Sequence, residues 1–129
     1  MPRLVLLLLT SLLLLLGAFA SRLGQAFLPS ATLNSGVAFG ILLSQPLLIF
    51  LFLPTALLVL VFLTLKSKDG FWGLLFLTSG GLANFFERII FGTVLDYIFL
   101  PPLPTFNLAD GAIALGVVLL CLSFLRDAK

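Results

Sequence analysis

Gly80-Gly81-Leu82-Ala83-Asn84-Phe85-Phe86-Glu87-Arg88, followed by Val94-Leu95-Asp96-Tyr97 and Phe106-Asn107-Leu108-Ala109-Asp110, gathers three of the chain's five acidic residues. The surrounding sequence is 61% hydrophobic and only 9% charged. Ionisable groups among apolar runs of membrane-spanning length are costly, so their presence marks function by default. The rest of the chain reads as the means of holding these groups together.

With 129 residues, fourteen Phe and no His, and a mean hydropathy of +1.29, the chain is too apolar to hide its side chains inside a water-soluble globule. The composition predicts an all-α membrane protein. At about 20 residues per spanning helix, one compact domain of four helices fits the length, over roughly 4–20, 41–65, 71–91 and 107–125. The net charge of +2 comes from basic residues scattered singly or in one pair, without the basic and aromatic interleaving of a nucleic-acid binder. Cys121 stands alone in an apolar run, and with no His the chain supplies neither a zinc site nor a Cys–His or Ser–His nucleophile system. No metal or cofactor is expected.

The first run, Leu4 to Ala20, follows Met1-Pro2-Arg3 and ends in Ala18-Phe19-Ala20. A cleavable secretory signal competes here with a retained first helix, and retention is favoured because everything downstream is also apolar. Ser21 to Gly40 is polar and turn-rich, with Pro29 breaking helix, and suits an extended excursion at the membrane surface. The second run, Ile41 to Leu65, carries Pro46 and Pro54, where a kink is tolerated if neighbours satisfy the freed carbonyl. Lys66 to Gly70 is a tight polar turn before the third run, which Gly92 closes. Thr93 to Phe99 is β-branched and aromatic, favouring extended backbone. Pro101, Pro102 and Pro104 then forbid helix until Thr105 or Asn107 can cap the fourth run.

Arg3, Lys66, Lys68, Arg126 and Lys129 fall at the two chain ends or the turn between the second and third runs, and only Arg22 and Arg88 fall at the opposite ends of the helices. By the positive-inside rule these regions, N- and C-termini included, are expected in the cytoplasm. From Phe71 to Glu87 a helix rises roughly 24 Å, most of a ~30 Å hydrocarbon core. Asn34, Glu87, Arg88, Asp96 and Asp110 should therefore meet in one shallow layer near the outer face, beside a small extended or β segment.

Asn84, Glu87 and Arg88 share one helical face through their i, i+3 and i+4 spacing. The bland reading is a Glu87–Arg88 pair with Asn84 bonding to a neighbouring helix; Gly80, Gly81 and Ala83 read as small residues admitting close helix contact. Asp96 and Asp110 have no obvious cation beyond Arg88. Two neighbouring carboxylates do not both ionise easily, so such a pair shares a proton and offers an acid and a base in one site. Asp110, near a helix N-terminus, is the better candidate for the charged member. The competing reading makes one Asp a helix cap and leaves the other solvated.

Asn34-Ser35-Gly36-Val37-Ala38-Phe39-Gly40, Gly80 to Arg88, Val94 to Ile98 and Phe106 to Ile113 closely resemble, in order, the motifs of the lipoprotein signal peptidase (signal peptidase II) family. The resemblance implies a four-helix aspartic peptidase of the bacterial cytoplasmic membrane that removes signal peptides from diacylglyceryl-modified prolipoproteins and is inhibited by globomycin. It places the catalytic aspartates on Asp96 and Asp110, and supporting residues on Asn34, Asn84, Arg88 and Asn107. Membrane lipids and prolipoproteins are the implied partners. Glu87 stands where the family usually has Asp, and Ser21 to Gln25 lacks the Asp and Lys usual near the first helix's outer end. The short outer segments imply a reduced surface platform. A small proton-coupled transporter or channel subunit is the alternative from another class, and an inactive precursor-binding relative is a third.

Overall fold

The computed structural model describes residues 2–28, 31–34, 45–64 (side chains only for 54–63) and 70–128. Pro29, the motif residues 35–40, the expected helix start at 41–44, and the basic residues Lys66, Lys68 and Lys129 lie outside the described residues. The elements in chain order are helix α1 (Arg3–Leu23), a single 3-10 turn (Gln25–Phe27), strand β1 (Thr32–Asn34), helix α2 (Gln45–Thr64), helix α3 (Phe71–Phe91), strand β2 (Val94–Asp96) and helix α4 (Leu108–Asp127).

Helices α1, α3 and α4 are each long and apolar enough to cross a membrane. Their 20 or 21 residues span about 30 Å at 1.5 Å per residue. Local chemistry sets their ends. Gly92, at φ 73°, takes the left-handed conformation that an L-residue adopts only under strain, and its N–H returns to the Arg88 carbonyl at 2.8 Å. Asn107 caps α4 by accepting the Asp110 N–H, while the Asp110 side chain accepts the Asn107 N–H, a reciprocal capping box. The expected fourth helix thus starts one residue later than its predicted bound, with Asn107 as its cap.

Helix α3 is the centre of the bundle and touches each of the other helices, α4 most extensively. Contacts at both ends give the directions. Arg3 donates to the Phe62 carbonyl at the end of α2 and stacks on Phe71 at the start of α3; at the far end Phe19 of α1 meets Phe91 of α3 edge-on. Helices α1 and α3 therefore run parallel, and α2 and α4 run against them. Leu7, Phe62 and Leu75 form the buried apolar core where α1, α2 and α3 converge.

Polar and small residues bring the helices together. Thr10 Oγ1 and Ser79 Oγ share a 2.6 Å hydrogen bond between α1 and α3, an interaction suited to surroundings that offer hydroxyls no water. Along α3 and α4 the backbones touch: a Cβ added at Gly80 would lie 2.5 Å from the Ala109 carbonyl, and one at Gly116 would lie 2.5 Å from the Leu77 nitrogen. Gly80 and the buried Ala83 thus fit the expected close contact, whereas Gly81 has nothing within 4 Å of an added Cβ and lines a cavity instead. Leu12, Leu13 and Leu16 of α1, and Val118, Leu122 and Leu125 of α4, point outward, where lipid replaces water as their solvent.

At the α3 C-terminal end, β1 and β2 pair antiparallel, with Thr32 opposite Asp96, Leu33 opposite Leu95 and Asn34 opposite Val94. A further bridge joins Ile98 to Phe106. It pinches off the proline-rich segment between them, so that Asn107 and Asp110 return beside the strand carrying Asp96. The extended segment expected at Thr93 to Phe99 is this strand and bridge.

Candidate active site

Asp96 ends β2 and Asp110 sits in the first turn of α4, and both line one cavity of about 550 Å³ with Asn34, Asn84, Arg88 and Phe85. The register explains how Asn34 reaches Asp96. Asn34 opposes Val94, so Asp96 is its diagonal neighbour on the same face of the sheet. Asn34 Nδ2 donates to Asp96 Oδ2 at 3.1 Å.

Asn107 ties the two carboxylates together. Its Nδ2 donates to Asp96 Oδ1 at 3.1 Å and to Asn84 Oδ1 at 3.2 Å, and its backbone N–H donates to Asp110 Oδ2 at 3.3 Å. Asn84 Nδ2 in turn donates to Asp110 Oδ1 at 2.7 Å. A continuous chain of amide hydrogen bonds thus runs from Asp96 through Asn107 and Asn84 to Asp110. Asn107 caps the helix with its side-chain oxygen, reaches Asp96 with its Nδ2 and meets the Asp110 carboxylate with its backbone N–H. Asp110 is part of the cap, whereas Asp96 is buried rather than solvated as the competing reading has it.

Burial pushes the Asp96 carboxyl above its ordinary value, because a charge is poorly solvated there, and the nearby Asp110 adds to the rise. The Asn34 and Asn107 amides and Arg88 pull the other way without cancelling it. Arg88 acts electrostatically on Asp110, Asp96 and Glu87, so its charge is shared across the site.

Glu87 has a partner that the spacing on its own helix does not supply. Its ion pair is with Arg22, at the end of α1, at 2.9 Å. The buried Glu87 carboxylate also accepts the Leu95 N–H at 3.0 Å. Arg22 was absent from the expected site, because a lone basic residue at a helix end reads as a topology marker. The signal that singles it out is an acid four positions before the end of another apolar helix, on the same side of the membrane, in a chain with few cations.

Expected residues Asn34, Asn84, Asp96, Asn107 and Asp110 are joined by direct hydrogen bonds. Arg88 lines the same cavity, while Glu87 lies behind β2, against Leu95. Fold and site together define a helical membrane protein whose polar centre is a pair of carboxylates held by asparagine amides.

The chain belongs to the signal peptidase (SPase) II family, whose profile matches residues 6–126. It is 33% identical over 106 residues to proteins named lipoprotein signal peptidase in Staphylococcus aureus strains JH9 and Newman, an alignment covering 74% of this chain and 64% of each relative. The chain therefore spans less than two thirds of those relatives' length. Two solved structures described as bacterial membrane enzymes share its fold. One has a TM-score of 0.74 at 24% identity, covering 95% of this chain and 89% of the other. The second has a TM-score of 0.71 at 24% identity, covering 94% and 93%.

Proposed function

We propose that the chain is an aspartic-type endopeptidase that removes signal peptides from diacylglyceryl-modified prolipoproteins, with Asp96 and Asp110 as its catalytic pair. The observation that carries this reading is the Asn107 bridge. One residue donates to both carboxylates at the rim of a cavity large enough for a peptide segment.

In this mechanism the pair shares one proton, held by Asp96, whose burial favours the neutral acid. Asp110 takes a proton from the attacking water as its oxygen bonds to the scissile carbonyl carbon, and Asp96 donates its proton to the carbonyl oxygen. Collapse of the tetrahedral intermediate breaks the C–N bond. The proton on Asp110 passes to the leaving amine, and the one on the former carbonyl oxygen returns to Asp96, restoring the starting state. The amide chain through Asn107 and Asn84 orients both acids. Arg88 balances negative charge as it develops beside them.

All four helices cross the bilayer in this proposal, residues 1–129 forming one integral membrane domain. Both termini face the cytoplasm, which puts the site at the outer surface of the cytoplasmic membrane. Arg3 and Arg126 lie at the end of the bundle away from the site. Of the basic residues at the site's end, Arg22 is held by Glu87 and Arg88 faces the acids, so neither argues against that orientation. Lipids surround the apolar outer faces, and globomycin-type inhibitors occupy the cavity.

The test is cleavage of a diacylglyceryl-modified prolipoprotein by the purified full chain, read as a size shift. Wild type should cleave and globomycin should block it. Asp96→Asn and Asp110→Asn should each abolish turnover while remaining folded. Turnover in either variant at the wild-type rate overturns the assignment.

A further inference from the structure

On the reading that Asp96 and Asp110 are the catalytic pair, we propose that Arg22 is a positioning residue: through Glu87 it sets the place of β2, and hence of Asp96, against the α4 cap. Sequence position alone gives Arg22 no such role, since it lies 74 residues from Asp96.

The guanidinium sits at a junction of three elements. Arg22 Nε donates to Glu87 Oε1 at 3.0 Å, and Arg22 Nη2 donates to the Thr93 carbonyl at 2.6 Å and Thr93 Oγ1 at 3.3 Å. Its Cζ lies over the Phe91 ring, 4.1 Å from the centroid, a cation–π contact. The same Glu87 oxygen accepts the Leu95 N–H. One cation and one anion thus hold the backbone at two points, Thr93 and Leu95, immediately before Asp96.

On its other side the strand end is held by the Asn34 and Asn107 amides, which meet the Asp96 carboxylate itself. Asp96 is therefore gripped between a charged clamp behind β2 and an amide clamp in front. Loosening the rear clamp lets the strand shift relative to Asn107, and a hydrogen bond near 3.1 Å tolerates little shift before it weakens. Arg22 touches neither aspartate in any hydrogen bond described, so its effect on the reaction passes through Glu87 and the β2 backbone.

The planar fork matters more than the charge. A lysine keeps the cation but presents a point charge that does not hold Glu87, Thr93 and the Phe91 face in one geometry. Glu87→Asp keeps the anion but withdraws it by a methylene from Leu95. Both variants retain a charge pair at the helix ends, so the bundle is expected to fold.

The experiment uses the full chain in detergent, with prolipoprotein cleavage kinetics, thermal unfolding, and hydrogen exchange at the Leu95 amide. Arg22→Lys and Glu87→Asp should each lower kcat about tenfold with KM within about twofold. Leu95 exchange should quicken by a similar factor while the unfolding midpoint stays near wild type. Because both residues act through one clamp, the double variant should lose no more than the worse single variant. Unchanged Leu95 exchange overturns the proposal, as does unchanged kcat, fully additive losses, or a rate loss that merely follows the folded fraction. Failure of wild type to cleave would instead sink the peptidase reading, and the exchange result would still judge the clamp.

Discussion

Replacing Asn107 by Ser separates its two duties. A serine hydroxyl caps a helix about as well as asparagine, within a few tenths of a kcal/mol, so it can still accept the Asp110 N–H that Asn107 accepts at 2.9 Å. It is too short to reproduce the two bonds from Nδ2, to Asp96 Oδ1 and Asn84 Oδ1. Each buried acceptor left without its donor costs about 1–3 kcal/mol, less whatever water recovers from the adjoining cavity. If about 2 kcal/mol of that loss appears as misorientation of the acids in the transition state, kcat/KM falls about 30-fold.

Asn107→Ala removes the cap as well, so it should unfold more easily than Asn107→Ser by about 1 kcal/mol yet lose little further activity. The pH profile adds a signed check. The Asn107 amide holds Asp96 down against the rise caused by burial, so its removal should raise Asp96 further and carry the basic limb of kcat/KM to higher pH. Cleavage kinetics across pH, beside thermal unfolding in detergent, read both effects. If the serine variant keeps wild-type activity while the alanine variant loses it, Asn107 is only a helix cap and the bridge argument is wrong.

Asp96 also leaves a mark on stability. Its folded value is raised above the ordinary 3.8, so its contribution is full below about that pH and is lost as pH rises through the raised value; unfolding midpoints should fall over that window in wild type, and Asp96→Asn should flatten this part of the curve. Gly80→Ala and Gly116→Ala force a Cβ to 2.5 Å from backbone across the α3–α4 contact and should each destabilise by about 1–3 kcal/mol, Gly80→Ala with added loss of activity because Ala109 adjoins Asp110. Gly81→Ala meets nothing within 4 Å but narrows the cavity, so KM should rise while the unfolding midpoint stays put. Gly92→Ala places a side chain at φ 73° and should cost about 1–2 kcal/mol, read by the same unfolding measurement.

Much of this protein was legible as one-dimensional pattern. Apolar run length marks a spanning helix because every backbone polar group in lipid must be satisfied within the segment, and the third run, 71–91, matches α3 at both ends. Gly92 and Asn107 mark their helix boundaries because left-handed backbone and N-terminal capping each need a particular residue type. Asp96 and Asp110 stood out because ionisable groups are conspicuous in an apolar chain, and the resemblance of the motifs added Asn34, Asn84, Arg88 and Asn107. Pairing is another matter. That Glu87 meets Arg22, on a helix far away in the chain, depends on how α1 lies along α3, and spacing carries no information about that. Likewise, the diagonal from Asn34 to Asp96 exists only in one strand register, and the reach from Asn107 to both acids depends on the Ile98–Phe106 bridge. Composition and local backbone preference act over a few residues, whereas hydrogen bonds and ion pairs join whatever packing brings within about 3 Å, so the arrangement of these polar groups was decided by helix packing and strand pairing together.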